Sequence, residues 1–166
     1  MSDNCTCQQQ QDVYAPSLAT IVRASPMTEL ERHFEIQLES GAPLGHGPGQ
    51  FVEVSIPGIG EAPISISSSP DTTPGFELVV RKAGRLTDVL HQYSANKRIG
   101  IRGPFGTTFP VEEAMKGNDV LFVAGGIGLA PLRSAIQYVL NHRENYGNVT
   151  ILYGAKTPSE RLFTDE

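Results

Sequence analysis

Tryptophan is absent from this 166-residue chain, cysteine occurs twice, and cations are in the minority, with 13 Lys and Arg against 18 Asp and Glu. The resulting net charge of −5, with no Lys/Arg cluster, argues against nucleic acid as the main partner, because neutralising phosphates takes grouped cations. No apolar run approaches the ~20 residues that cross a bilayer. The longest lies around Val120 to Ala124. The N-terminus, MSDNCTCQQQQD, has neither the basic region nor the apolar core of a secretory signal, so the expectation is a cytoplasmic protein without a membrane span. Cys5 and Cys7 form a single Cys-x-Cys, and two thiolates cannot complete a tetrahedral metal site. Their polar, Gln-rich setting reads as a flexible tail with free thiols; the alternative is a redox or metal role shared with a partner subunit. His33, His46, His91 and His142 are scattered without metal-ligand spacing, and no metal site is expected.

Glycine (17) and proline (12) are plentiful, which fits short strands joined by tight turns. A two-residue period runs through Leu18–Arg23 and His33–Glu39, where Phe34, Ile36 and Leu38 share one face. The Gly/Pro-rich loop Gly41–Gly49 leads to a third strand, QFVEVSIPG. In PISISSS, Ile64 and Ile66 fall on one face and Ser65 and Ser67 on the other. A fifth strand, FELVVRK, alternates Phe76, Leu78 and Val80, and KRIGIRG supplies a sixth. Between them, Leu86, Val89, Leu90 and Tyr93 share one face of a helix over 85–94. Six short strands with one helix predict a six-stranded antiparallel β-barrel.

The pattern then changes. After Asp119, the segment to Ala124 is continuously apolar, as in a strand buried on both faces. Gly125-Gly126-Ile127-Gly128 follows, then Leu132, Ile136, Val139 and Leu140 at helical spacing, then the apolar strand NVTILYGAK. This predicts the start of an α/β nucleotide-binding domain, a single βαβ unit. The expected division is a tail over 1–14, a barrel over 15–108 and the α/β part over 109–166. Two parallel strands and one helix cannot cover both faces of a parallel sheet, so the unit is expected to be truncated or completed elsewhere. A glycine turn between strand and helix suits a dinucleotide phosphate. The first helical N–H groups lack internal partners there, and glycine lets the phosphate approach the backbone. Pro131 fits the first turn of that helix, where its missing N–H costs nothing.

GGIGLAPL, preceded by GPFG and followed by YGAK, resembles the ferredoxin–NADP reductase superfamily. The resemblance runs from about Ala15 to Glu166 in the order PISIS, G-x-x-T, GPFG, GGIG, YGAK. Within it, the chain is similar to gamma subunits of nickel–iron (sulf)hydrogenases, flavin subunits of anaerobic sulfite reductase and electron-transfer subunits of dihydroorotate dehydrogenase. The resemblance implies an FAD-binding barrel followed by an NAD(P)-binding domain, with NAD(P)H as substrate. It implies a two-iron two-sulfur cluster only in a C-terminal region absent from this chain.

The family's flavin motif, R-x-Y-S, aligns with Ala62-Pro63-Ile64-Ser65, so Ile64 stands where the family has an aromatic and Ala62 where it has an arginine. The resemblance assigns Pro63, Ile64, Ser65, Val80, Arg81, Gly84, Arg85, Leu86 and Thr87 to FAD, with Ser65 at the reacting edge of the flavin. Arg81 or Arg85 is the candidate replacement for the missing arginine. Gly125, Gly126, Ile127, Gly128, Ala130, Pro131, Tyr153 and Gly154 are assigned to NAD(P); Lys156, at the end of the second parallel strand, is either a phosphate or ribose contact or a plain surface lysine. Hydride transfer between nicotinamide and flavin is cofactor chemistry, so no catalytic triad is expected and none is found. The implied function is an electron-transfer subunit that moves electrons between NAD(P)H and an iron–sulfur, hydrogenase or reductase subunit via FAD. The alternatives are a scaffold of the same fold that has lost its flavin, and a stand-alone flavin reductase.

Overall fold

The computed structural model describes residues 14–72 and 74–166. The tail and its Cys-x-Cys therefore lie outside the described residues. Strands β1 (Ser17–Pro26), β2 (Glu31–Leu38), β3 (Phe51–Ile56), β4 (Gly60–Ser65), β5 (Phe76–Arg81) and β6 (Arg98–Phe105) form one six-stranded sheet in the order β4-β3-β6-β1-β2-β5. Every ladder in it is antiparallel. The two edges meet where Ile66 bridges Leu78 and the Ser67 N–H donates to the Glu77 carbonyl at 2.8 Å, which closes the sheet into a barrel.

The alternation read from the sequence fills this barrel. Ile21, Phe34, Ile36, Val52, Val54, Phe76, Leu78, Val80, Ile99 and Ile101 point inward and are buried. In β1 the inward pair is Ala19 and Ile21, while Leu18 and Val22 face outward. The helix α1 (Arg85–Leu90) is shorter than the apolar spacing suggested, and it adds Leu86 and Leu90 to the same core.

The second unit contains β7 (Val120–Gly125), α2 (Leu129–Asn141) and β8 (Val149–Gly154), with β7 and β8 parallel and in register from Val120–Val149 to Gly125–Gly154. Here the structure corrects the expectation of a strand buried on both faces. Val120 and Phe122 pack under α2, but Leu121 and Val123 remain 60% and 63% exposed. Only one helix covers this sheet among the described residues, so the second apolar face has no cover. The buried side of α2 also differs from the expected stripe. Arg133, Ser134 and Ala135 are buried along with Ile136 and Val139, while Leu140 is exposed.

Burial of an arginine is explained by what α2 packs against. The outer face of β5 and β2 carries Glu77, Val79, Arg81, Glu31, His33 and Glu35, paired across the ladder. Arg133 Nη1 donates to Glu77 Oε2 at 2.6 Å and to the Ser67 carbonyl at 3.1 Å. Its Nη2 and Nε donate to the Glu166 carboxylate at 2.6 and 2.9 Å, and the guanidinium lies 4.2 Å from the Phe163 ring centroid. His33 Nε2 sits 3.0 Å from the same Glu77 oxygen that binds Arg133. Polar contacts extend the junction: Gly49 N–H to Ser134 Oγ at 2.9 Å, and Ser69 N–H to Gln137 Oε1 at 2.9 Å.

Burial alone would raise the Glu77 pKa, but the hydrogen bond from His33 and the charge and hydrogen bond of Arg133 overcome it and hold the carboxyl at about 2 rather than 4.5. A carboxyl depressed in the folded state contributes stability that is present above its unfolded pKa and lost as pH falls through the folded one. About 3 kcal/mol should therefore disappear between about pH 5 and pH 2. Urea titrations across that range should show the slope in the parent protein and a flattened one in Glu77→Gln; equal slopes would exclude Glu77 as its source.

Candidate functional site

The junction leaves an open cleft of about 390 Å³ between the barrel and the glycine turn. Ala62, Pro63, Ile64 and Ser65 of β4 line one side, with Val79 and Arg81 of β5 and Ala83 and Thr87 around the start of α1. Ile127, Gly128, Ala130 and Pro131 line the other. Two residue sets at least 40 positions apart in sequence thus face one space, because β4 and β5 close the barrel directly under the start of α2.

Each side of the cleft follows from local sequence. β4 is a sheet edge, so Pro63 disrupts no ladder on its outer side. Ile64 and Ala62 pack partly against the barrel core, and Ser65 pairs with Phe51 at the end of the strand. Ser67, placed on an outward face by the alternation, is fully buried instead, because the chain after Ser65 tucks between β5 and α2. On the other side, Gly126 takes φ +51, a left-handed conformation that glycine tolerates best, and a 3₁₀ turn (Gly126–Gly128) runs into α2. The N–H groups of Gly126 and Ile127 open that turn and have no carbonyl within it to bond.

Several expected residues stand elsewhere. Val80 points into the barrel core and only its backbone is left on the outside, where its carbonyl lies 2.8 Å from His91 Nε2. Arg85 leaves the cleft and donates to the Gly58 carbonyl at 3.3 Å, and Leu86 is core. Thr87 stays at the cleft, where its hydroxyl accepts from the Ala83 and Gly84 N–H groups at 2.9 and 3.0 Å and donates to the Gly84 carbonyl at 2.9 Å, which shapes the turn. Tyr153 lies under α2, its hydroxyl accepting from the Leu162 N–H at 3.2 Å. Gly154 pairs with Gly125 at the carboxyl end of the sheet, and Lys156 is exposed beyond it. The four histidines are all engaged within the protein: His33 with Glu77, His46 with the Ser68 carbonyl, His91 with Val80 and His142 with the Tyr138 carbonyl. Burial pulls the His46 pKa down, in keeping with a neutral packing role. No metal-ligating cluster occurs among the described residues.

Val79 is a cleft residue that the sequence reading missed. It had a signal: in FELVVRK it is the one apolar residue on the face that also carries Glu77 and Arg81. An apolar side chain on an outer face indicates that something covers it, and here α2 does.

The cleft chemistry fits a dinucleotide. Its walls are apolar at Pro63, Ile64, Val79, Ile127 and Pro131, with hydroxyls at Ser65 and Thr87 and one cation at Arg81. Gly84, Gly125, Gly128 and Gly154 have no positive φ in the strained range, and a Cβ on any of them would meet nothing within 4 Å. Packing within the chain does not demand glycine there, and the open space leaves room for a ligand to approach the backbone, at Gly128 from within the cleft.

Residues 19–109 match the oxidoreductase FAD-binding domain, and residues 122–166 match the oxidoreductase NAD-binding domain. The chain belongs to this family of FAD- and NAD-binding oxidoreductases. It is 41% identical over 156 residues to sulfhydrogenase 1 subunit gamma of Pyrococcus furiosus, an alignment that covers 92% of this chain and 53% of that protein. It is 36% identical over 119 residues to a probable dihydroorotate dehydrogenase B (NAD(+)) electron transfer subunit of Methanocaldococcus jannaschii, covering 71% of this chain and 41% of the relative. The chain thus spans about half the length, or less, of these curated relatives. Ferredoxin-NADP+ reductase from Plasmodium falciparum shares the fold, with a TM-score of 0.77 at 20% identity over 90% of this chain and 63% of that one. The barrel followed by a βαβ unit is therefore the N-terminal part of a ferredoxin–NADP reductase-like fold.

Proposed function

We propose that this chain is the flavin-binding part of an electron-transfer subunit that moves electrons between NAD(P)H and an iron–sulfur partner through FAD. The observation that carries the reading is the single cleft in which Pro63, Ile64, Ser65 and Arg81 face Ile127, Gly128, Ala130 and Pro131. FAD bound there would supply hydride exchange with the nicotinamide and one-electron exchange with the partner.

The protein's share is placement. Pro63 and Ile64 back a ring system from the barrel side, and the Ser65 hydroxyl offers a donor and acceptor at its edge. Arg81 supplies a cation for the diphosphate. Gly126 and Ile127 present N–H groups to a second dinucleotide. Val79, Ile127 and Pro131 give the cleft apolar walls that exclude water from the reacting edge. The named relatives are subunits of sulfhydrogenase and of dihydroorotate dehydrogenase B, which supports another subunit of a hydrogenase or reductase complex as the partner. The reading places the protein in the cytoplasm with its pyridine nucleotide; no helix among the described residues is long and apolar enough to cross a membrane.

The test is direct. The protein purified with its full natural chain should be yellow, and its visible flavin absorbance should bleach on anaerobic addition of NADH or NADPH. A colourless protein that takes up no added FAD would sink the reading in favour of a scaffold.

A further inference from the structure

Glu31 is a carboxylate buried to 2% exposure on the outer face of the barrel, directly across the ladder from Arg81. Both its oxygens are taken. Oε1 accepts from Arg81 Nε at 2.5 Å, and Oε2 accepts from the Thr28 hydroxyl. Thr28 is itself fixed, because its Oγ1 accepts from the Leu30 and Glu31 N–H groups at 3.1 and 3.0 Å in the β1–β2 turn. Arg81 is the cation that balances this carboxylate among the described residues, yet 41% of its side chain stays exposed.

Burying a carboxylate is costly, and a buried ion pair is seldom worth more than an apolar pair of similar volume. Stability alone therefore gives little reason for Glu31. What the pair does provide is a fixed guanidinium. Arg81 is the one ionisable side chain lining the cleft among the described residues. Tied through Nε, it keeps its two terminal NH₂ groups as donors, the fork that matches a phosphate. Holding that fork in place before the ligand arrives removes the side-chain ordering cost from binding.

We infer that Glu31 is a positioning residue that holds Arg81 in the cleft to bind the diphosphate of FAD. This rests on the functional reading above. The probes are FAD and lumiflavin, which has the same ring but no phosphate, titrated by fluorescence into deflavinated full-length protein. R81M should weaken FAD binding about tenfold or more and leave lumiflavin within about twofold. E31Q should weaken FAD binding by about threefold to tenfold in the parent, and by nothing further in the R81M background, since coupled residues are non-additive. If E31Q fails to fold, T28V removes the clamp on Glu31 while keeping both charges, and should show the same dependence on Arg81. Proportional loss of lumiflavin, or an E31Q or T28V effect that persists in the R81M background, would overturn the inference. A parent that binds FAD while all variants match it would overturn this inference alone; a parent that binds no FAD would overturn the functional reading as well.

Discussion

Replacing Arg133 with methionine should lower the unfolding free energy by about 3–5 kcal/mol, the range for removing one partner of a buried ion pair. The side chain is 7% exposed and joins three parts of the molecule: β5 through Glu77, the segment after β4 through the Ser67 carbonyl, and Glu166 near the end of the chain. Methionine leaves Glu77, with 18% of its side chain exposed, without its arginine partner. Glu166 is 52% exposed, so its share of the loss should be small. Adding Glu77→Gln should recover much of the deficit, because the penalty comes from the stranded charge and not from the missing bond. Urea unfolding of the parent, the two single variants and the double variant checks this. If the double variant is as unstable as the sum of the singles, the buried pair is not what joins barrel to helix. The same substitution loosens the junction that forms the cleft, so under the proposed function hydride transfer from NAD(P)H should slow even where FAD is retained.

Under the proposed function, Gly128→Ala should raise KM for NAD(P)H by about tenfold to a hundredfold, on the scale of an approximately 1 Å misplacement of bound substrate, with no loss of fold stability. Gly128 has φ −60 and ψ −14, helical values any residue adopts, and a Cβ there meets nothing within 4 Å. Alanine even favours the helical backbone. The space it would occupy is the cleft, where the reading puts the phosphates. Gly147→Ala is the contrasting case. A Cβ there would lie 2.2 Å from Asp119 Oδ1 and 3.0 Å from the Asn118 backbone, so it should cost about 1–3 kcal/mol of stability and leave KM unchanged. Steady-state kinetics with NADH and NADPH, beside urea unfolding, separates the two glycines. A parental KM in Gly128→Ala would remove the glycine turn from the nucleotide site.

Much of the barrel was legible because alternation is local. Phe34 and Ile36, Val52 and Val54, and Phe76, Leu78 and Val80 each mark an inward face by spacing alone, and the structure buries all of them. The glycine turn was legible for a similar reason, since a strand, three glycines and a helix are consecutive in the chain. The errors fall where an outer face is covered by something distant. Ser67, on the face opposite Ile64 and Ile66, is buried; Val79, not singled out by the sequence, lines the cleft; Arg133, outside the apolar stripe of Leu132, Ile136, Val139 and Leu140, anchors α2. The reverse occurs at Leu121 and Val123, whose apolar character suggested burial but which face away from the one helix that packs on their sheet.

The sequence by itself determined the strand and helix periods, the position of the glycine turn and the residue types available to a dinucleotide. These depend on backbone freedom and on which side of a strand or helix a residue occupies, and both are set within a few positions of chain. Only the tertiary structure decided which charges meet. Arg81 finds Glu31 across 50 positions, and Arg133 finds Glu77 across 56. An ion pair is a property of two side chains brought within about 4 Å, and no local pattern encodes that distance. The cleft is a product of the same long-range contacts: barrel closure brings β4 beside β5, Arg133 docks α2 on the outer face, and the glycine turn then stands over Ser65 and Arg81.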